Sequence, residues 1–209
     1  DFVRPELMFR LIDALDLLWK AFNDEGGHPL GKRVAVIGAG DVAMDCVRTA
    51  MRTPGVEEAV IVYRRNEPNM PATQHEVNTV RAEGLTMLEM LAPISFDGST
   101  LRCETMRLGP VVASGRQGIE GTGENVDLAF ETVVGATGAT IDTSRYTGNG
   151  VAVDGRGRAQ LDPTYQSSVP NVYVVGDGRL GPDTIVRTMD DTKIACRAIL
   201  TKEGLVPDF

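Results

Sequence analysis

A glycine-rich turn near residue 40 carries the clearest chemical signal in this sequence. The apolar run 34–37 leads into Gly38-Ala39-Gly40-Asp41-Val42-Ala43, which has the pattern GxGxxA. In such a turn the first glycine permits a sharp bend, the second lets a pyrophosphate approach the backbone, and the third small residue lets the next helix pack on the strand. That helix points its N-terminus at the phosphates. We therefore predict a dinucleotide site whose pyrophosphate contacts are Gly38, Ala39, Gly40, Asp41 and Val42.

The residues that follow the turn support this interpretation. Six apolar residues share one helical face: Val42, Ala43, Cys46, Val47, Ala50 and Met51. Pro54-Gly55 stops that helix, and a second apolar run, 59–63, follows at the distance expected for a strand–helix–strand unit. The alternative is an ordinary strand-to-helix turn in an α/β core, because a lone glycine pattern is weak evidence.

The end of the second apolar run indicates which dinucleotide is bound. An NAD-binding unit usually places Asp or Glu there against the ribose hydroxyls, whereas this sequence reads Tyr63-Arg64-Arg65-Asn66. A guanidinium group suits the 2'-phosphate of NADP, so we predict that Arg64 and Arg65 bind it. Two solvated surface charges are the alternative, and the neighbouring acid Glu67 weakens the NADP prediction.

Composition describes an ordinary globular chain and excludes some partners. The sequence has 209 residues, 42% of them hydrophobic and 24% charged, with a net charge of −8. Such an acidic chain is not expected to bind nucleic acid or an anionic membrane surface. It contains no apolar run of transmembrane length and no signal-peptide pattern, so we expect a cytoplasmic protein that does not enter the membrane.

The sequence offers no candidate catalytic residue and no metal site. Its cysteines, Cys46, Cys103 and Cys196, are far apart, which favours buried reduced thiols over a disulfide or iron–sulfur framework. Only two histidines are present, so a histidine metal site is not expected. No Tyr-x-x-x-Lys pair of the short-chain dehydrogenases and no GxSxG nucleophile turn occurs.

The remaining segments complete an α/β pattern. Helical periodicity predicts a helix over 5–22, and further helices are predicted over 73–83 and 184–200. Strand-like runs at 85–91, 101–108 and 126–134, separated by the turn Asp97-Gly98 and a loop over 115–123, predict an antiparallel flap after the parallel strands. Near the C-terminus, the apolar run 172–175 leads into Gly176-Asp177-Gly178.

Taken as a set, these motifs resemble one known family. The set comprises GlyAlaGlyAspValAlaMetAsp at 38–45, TyrArgArg at 63–65, MetProAla at 70–72, AlaThrGly at 136–138 and ValValGlyAspGly at 174–178. It is similar to the flavoprotein oxidoreductases with two dinucleotide-binding domains, in particular the glutamate synthase small (beta) subunit and its relatives. The resemblance covers nearly the whole chain.

The resemblance implies a fold and a division into domains. It implies a Rossmann-like parallel sheet with helices on both faces, an antiparallel β flap and a C-terminal remnant of an FAD-binding domain. Residues 1–30 would hold a connecting helix, 31–138 the NADPH-binding domain and 139–209 the returning part of the FAD domain. The cofactor contacts that it adds are Ala136, Thr137 and Gly138, with Gly176, Asp177 and Thr184 toward the flavin. Asp177 could equally be a turn residue.

The resemblance also shows what this sequence does not contain. The family's first glycine-rich turn for FAD and its upstream iron–sulfur cysteines have no counterpart here. The chain is therefore expected to be a fragment that binds NADPH and holds FAD only with the missing N-terminal half. Its expected partners are that half and an iron–sulfur or larger catalytic subunit. Alone, it is expected to have no diaphorase activity.

In the family, hydride passes from NADPH to FAD, and electrons then leave through iron–sulfur centres. The cofactors carry that chemistry and the protein positions them, so no acid–base triad is required. We expect this chain to be the NADPH-binding portion of such an oxidoreductase. The alternative is a noncatalytic nucleotide-binding or docking module of a larger redox complex, and an autonomous dehydrogenase is a weaker interpretation.

Overall fold

The computed structural model describes residues 11–23, 29–112, 115–138, 141–155, 157–181 and 183–205. The chain divides into two compact units, Asp1–Gly138 and Ala139–Phe209.

A five-stranded parallel sheet forms the centre of the first unit. Its strands are β1 (Leu11–Asp13), β2 (Arg33–Ile37), β3 (Glu58–Val62), β4 (Thr86–Leu88) and β8 (Thr132–Gly135), in the spatial order β1-β8-β2-β3-β4. All neighbouring strands in this sheet run parallel. The two central strands β2 and β3 are apolar on both faces, which is typical of a parallel sheet covered on both sides.

Three helices cover one face of this sheet. They are α1 (Ala14–Phe22), α2 (Asp41–Arg52) and α3 (Gln74–Ala82). Alternate residues of β2, Val34 and Val36, point into this layer and pack among fully buried residues of α2 such as Met44 and Val47. The predicted strand–helix–strand unit and the helix near residues 73–83, which Thr73 caps, are thereby confirmed.

An antiparallel sheet covers the other face. It consists of β5 (Leu91–Phe96), β6 (Thr100–Val111) and β7 (Gln117–Ala129) in that order. Phe96, Leu101 and Phe130 pack there against Ile37 and Val60 of the parallel strands. The predicted α/β class with an antiparallel flap is confirmed, but the layers differ: in the described part of this unit the flap covers the second face, instead of helices.

Four segments differ from the sequence prediction. Residues 11–13, which fall inside the helix predicted over 5–22, form a strand because they pair with β8. Helix α1 begins only after Asp13, which caps it by accepting the Leu15 N–H at 2.9 Å. Residues 5–10 lie outside the described residues. The run 85–91 divides between β4 and β5, and the run 126–134 divides between β7 and β8. Most of the predicted loop 115–123 belongs to β7, which begins at Gln117.

The second unit is built mainly around one long helix. It contains the short helices α4 (Ser144–Thr147) and α5 (Asp177–Leu180), and α6 (Ile185–Lys202), which confirms the predicted final helix. The apolar run 172–175 forms only one isolated bridge, between Tyr173 and Gln166. Among the described residues, no helix is both long and apolar enough to cross a membrane.

Candidate nucleotide-binding site

The glycine turn lies at the carboxyl edge of the parallel sheet, between β2 and α2. Gly38 has φ +132° and donates its N–H to the Val62 carbonyl at 3.1 Å. On the other side, the Ala136 N–H donates to the Ile37 carbonyl at 2.8 Å. A Cβ added to Gly38 would lie 2.2 Å from the Ala136 carbonyl oxygen, so only glycine fits. The turn thus lies between β3 and β8, where the strand order reverses and where such sheets bind ligands.

Gly40 plays a different part in the same turn. It is the N-cap of α2 with φ −87°, and its carbonyl accepts the Ala43 N–H at 2.9 Å. Apart from Gly40 and its chain neighbours, no described residue has a heavy atom within 4 Å of a Cβ added at Gly40, so the space in front of the helix is open. The earliest N–H groups of a helix have no intrahelical acceptor, and those of Asp41 and Val42 begin α2. Open space beside free N–H groups suits a phosphate group.

Asp41 is the first residue of α2, directly after the N-cap Gly40. Its Oδ1 accepts the Thr73 N–H at 2.8 Å, just before α3 begins. The Ala72 N–H also donates to the Ala39 carbonyl at 3.0 Å. The turn is therefore anchored to the MetProAla segment at 70–72, a connection between two motifs that the sequence showed only as separate patterns.

The two predicted arginines occupy different environments. Arg64 is exposed, while Arg65 is half-buried and donates its Nε–H to the Gln117 carbonyl at 3.0 Å. A cleft of about 280 Å³ lies at this contact, lined by Arg65, Pro68, Asn69, Met70, Pro71, Gly115, Arg116 and Gln117. Sequence reasoning missed Arg116 and Gln117, because no local motif marks a contact across 52 residues.

Glu67, the acid that weakened the NADP prediction, is paired with another residue. Its carboxylate forms an ion pair with Arg81 of α3. Because this partner offsets its charge, Glu67 opposes a bound phosphate less than its position in the sequence suggests.

The small residues after β8 lie at the same edge of the sheet. Ala136 is half-buried against the glycine turn, and Thr137 and Gly138 are exposed, with Gly138 at φ +101°. The structure therefore brings Ala136 to the predicted pyrophosphate contacts. Whether Thr137 and Gly138 contact a cofactor stays a prediction.

The remaining predicted residues, Gly176, Asp177 and Thr184, lie in the second unit. Gly176 has φ +60°, and its N–H donates to the Asp191 carboxylate at 3.2 Å. Asp177 is exposed and accepts the Asp183 N–H at 3.2 Å. Thr184 is the N-cap of α6. These contacts place Asp177 beside the start of the long helix.

A half-buried ion pair supports this glycine turn, and no local sequence pattern marks it. Arg179 donates two hydrogen bonds of 2.8 Å, one to each oxygen of Asp191, and its guanidinium lies over the Tyr165 ring. The Asp191 side chain is 9% exposed. Its hydrogen bonds to Arg179 lower the pKa of Asp191 below the ordinary aspartate value, and the same contact raises the pKa of Arg179.

The cysteines and the rest of the described residues show no second reactive centre. Burial raises the pKa of Cys46 to about 12 and that of Cys103 to about 11, so neither thiol is a nucleophile near neutral pH. Cys196 is exposed, contrary to the prediction of buried thiols, but all three are free. Within the described ranges, no group of histidine, cysteine and acidic residues could hold a metal ion.

Comparison with known proteins identifies relatives of this chain. The model of the family described as pyridine nucleotide-disulphide oxidoreductase matches residues 12–195. The chain is 35% identical over 195 residues to the protein YgfK of Escherichia coli strain K12, covering 90% of this chain and 19% of that protein. It is 30% identical over 216 residues to the NADPH glutamate synthase small chain of the same organism, covering 96% of this chain and 45% of that protein. The chain therefore spans less than half the length of these relatives.

Solved structures share the fold. The chain is similar to FprA of Mycobacterium tuberculosis in complex with NADPH, with a TM-score of 0.74 and 20% identity over 95% of this chain and 61% of that one. It is also similar to thioredoxin reductase of T. acidophilum, with a TM-score of 0.68 and 18% identity, covering 92% of this chain and 57% of that one. At such low identity the likeness concerns the fold alone.

Proposed function

The chain belongs to the pyridine nucleotide-disulphide oxidoreductase family, and on that premise we propose that it is the NADPH-binding portion of a flavoprotein oxidoreductase. The intact protein is of the glutamate synthase small-subunit type, and its partners are the other part of the FAD domain and an iron–sulfur or larger catalytic subunit. When bound, the cofactors supply the redox chemistry, in which hydride passes from NADPH to FAD and electrons continue to iron–sulfur centres.

The observation that carries the proposal is the turn at Gly38 and Gly40. Gly38 closes the turn against Ala136, and Gly40 leaves open space before the N-terminus of α2. A pyrophosphate fits this arrangement because backbone N–H groups and the helix dipole both favour an anion there. In this role the chain binds and orients the dinucleotide, and its own side chains transfer no proton.

Arg64 and Arg65 are proposed to select NADPH over NADH. A double Arg64→Ala, Arg65→Ala variant should weaken NADPH binding by roughly 30-fold, since charge-assisted hydrogen bonds to the 2'-phosphate are lost. NADH binding should stay within about twofold, because NADH has no phosphate there. Isothermal titration calorimetry of the full chain with each nucleotide measures both values.

A matched control separates this effect from a general loss of positive charge. Arg102 is exposed and forms a two-hydrogen-bond ion pair with Asp127 on the antiparallel sheet. The Arg102→Ala variant should leave the ratio of the two affinities unchanged. Equal losses of affinity for NADPH and NADH in the double variant would refute the proposed role of the two arginines in binding the 2'-phosphate.

Asp41 is proposed to reduce the affinity that the turn could reach. Its carboxylate lies on the first residue of α2, where it repels a phosphate group, and its Oδ1 also accepts the Thr73 N–H. Asp41→Asn removes the charge and keeps an acceptor oxygen, so NADPH should bind about threefold more tightly at an unchanged thermal midpoint. Asp41→Ala should lower the thermal midpoint instead, because the Thr73 N–H loses its acceptor. Weaker binding by Asp41→Asn would show that the carboxylate helps the site.

The second unit is proposed to contact FAD in the intact protein. Asp177 presents an exposed carboxylate beside Thr184, whose hydroxyl caps α6 by accepting the Arg187 N–H at 3.4 Å. A carboxylate can accept hydrogen bonds from sugar or ribitol hydroxyls, and the start of an 18-residue helix favours a phosphate or a polarised ring atom.

One observation favours a second function, that of a docking module. Three large apolar side chains of α1 are exposed: Leu15 by 58%, Trp19 by 62% and Phe22 by 87%. Exposed apolar residues at helical spacing suit a partner surface. The two functions differ in one assay, which measures NADPH-dependent dye reduction after the other part of the FAD domain is supplied. An electron-transfer portion gains that activity, and a docking module does not.

A further inference from the structure

The cleft at the end of β3 is built from elements that lie far apart in the sequence. One side consists of Arg65 and the segment 68–71, and the other consists of Gly115, Arg116 and Gln117 at the end of the β6–β7 hairpin. The Leu91 N–H at the start of β5 donates to the Tyr63 carbonyl just after β3, at 3.0 Å. The antiparallel sheet therefore begins beside the end of β3. The long strands of its hairpin then place the hairpin end at the same edge of the parallel sheet as the glycine turn. Arg116 therefore reaches a site that local sequence does not predict.

A hydrogen bond joins the hairpin end to the end of β3, and others shape the hairpin itself. The Arg65 Nε–H donates to the Gln117 carbonyl at 3.0 Å. Within the hairpin, the Val112 N–H donates to the Arg116 carbonyl at 2.9 Å and the Gly115 N–H to the Val112 carbonyl at 2.8 Å. Among the described residues, the Arg65 side chain donates through Nε alone, which leaves the two terminal nitrogens of its guanidinium group to a ligand.

The charge of the cleft favours an anion. Its described lining residues include two arginines and no acid, although the whole chain has a net charge of −8. Glu67, next to the lining, is paired with Arg81. Arginines on opposite walls suit a phosphate monoester, which offers oxygens on several sides and carries close to two negative charges.

From this arrangement we infer that Arg116 is a specificity-determining residue that binds the 2'-phosphate of NADPH together with Arg65. The inference rests on the proposed function, since it assigns a second wall to the same phosphate site. Arg64 is outside the cleft lining, so the hairpin arginine and Arg65 form the enclosed part of the site. The hairpin thereby acts as a clamp over the phosphate.

The test uses calorimetric titration of the full chain and three variants, Arg116→Ala, Arg116→Lys and Arg116→Glu, with NADPH and NADH. Arg116→Ala should weaken NADPH binding by about fivefold, as expected for one solvent-accessible charged contact. Arg116→Glu should weaken it by about 20-fold, because attraction becomes repulsion, and Arg116→Lys should weaken it less than Arg116→Ala, because the charge stays while the planar guanidinium group is lost. NADH binding should change by less than about twofold in all three, since no phosphate faces this position.

A control variant and the wild-type chain separate the outcomes. Arg107 lies on the same hairpin, is exposed and pairs with Glu120, and it does not line the cleft. Arg107→Ala should leave both affinities unchanged. If the wild-type chain prefers NADPH but Arg116→Ala and Arg116→Glu keep that preference, the clamp is wrong and the proposed function stands. If the wild-type chain shows no preference for NADPH, both the clamp and the proposed NADPH-binding function are wrong. Equal losses for NADPH and NADH at an unchanged thermal midpoint would also overturn the clamp.

Discussion

Replacing Gly38 by alanine should destabilise the first unit and abolish dinucleotide binding. Gly38 has φ +132°, which side-chain-bearing residues rarely adopt, and the added Cβ would lie 2.2 Å from the Ala136 carbonyl oxygen. Backbone strain and the movement of β8 that relieves the clash should together cost at least about 3 kcal/mol of unfolding free energy. Urea unfolding followed by circular dichroism measures this loss, and calorimetry measures binding.

Gly40 provides the matched control two residues away. Its φ of −87° is open to any residue, and apart from Gly40 and its chain neighbours no described residue has a heavy atom within 4 Å of an added Cβ. Gly40→Ala should therefore keep the unfolding free energy within about 0.5 kcal/mol. The new methyl group would occupy the space proposed for the pyrophosphate, so NADPH binding should fall by at least about tenfold.

The contrast between these two variants tests the site itself. A stable Gly40→Ala chain that binds NADPH as tightly as the wild type would mean that the pyrophosphate does not approach this residue. A stable Gly38→Ala chain would contradict the close approach of β8 to the turn. The Gly40→Ala result would return the glycine pattern to the alternative of an ordinary strand-to-helix turn.

Local patterns predicted those features of the first unit that depend on residues close together in the sequence. The run 34–37, the glycine turn and the apolar face of α2 are all read within about 20 residues, because strand and helix periodicities differ. Thr73 likewise marks the start of α3 through its side chain alone. Such features need no knowledge of what packs against them.

The features that local patterns missed depend on distant partners. Residues 11–13 became a strand only because β8, more than 100 residues later, offers an edge to pair with. The second face of the parallel sheet is equally apolar whether helices or a flap cover it, so the sequence of β2 could not distinguish the two. Arg116 lines the same cleft as Arg65 for the same reason, since the length and register of a hairpin decide where its end lies.

Asp191 is the clearest example of a distant partner that local sequence patterns missed. The sequence pointed to Gly176 and Asp177, but it is Asp191, 15 residues later, that accepts the Gly176 N–H and binds Arg179 through both oxygens. Asp191→Asn should lower the unfolding free energy of the chain by about 2 kcal/mol, because the half-buried Arg179 loses its counter-charge and a charged hydrogen-bond acceptor. Asp190→Asn, which changes the exposed neighbour on the same helix, should have little effect.

The pH dependence gives this prediction a distinct signature. Arg179 lowers the pKa of Asp191 in the folded chain, so between that value and the ordinary aspartate value near 4 the unfolded chain binds more protons. The contribution of Asp191 is therefore complete above about pH 4 and is lost as the pH falls through the folded pKa. Urea unfolding from pH 7 to pH 2 should show this loss in the wild type and in Asp190→Asn, and a smaller loss in Asp191→Asn. Identical pH profiles for all three chains would mean that the ion pair does not hold the Gly176 turn, and the carboxylate of Asp177 would then need another support to meet a flavin.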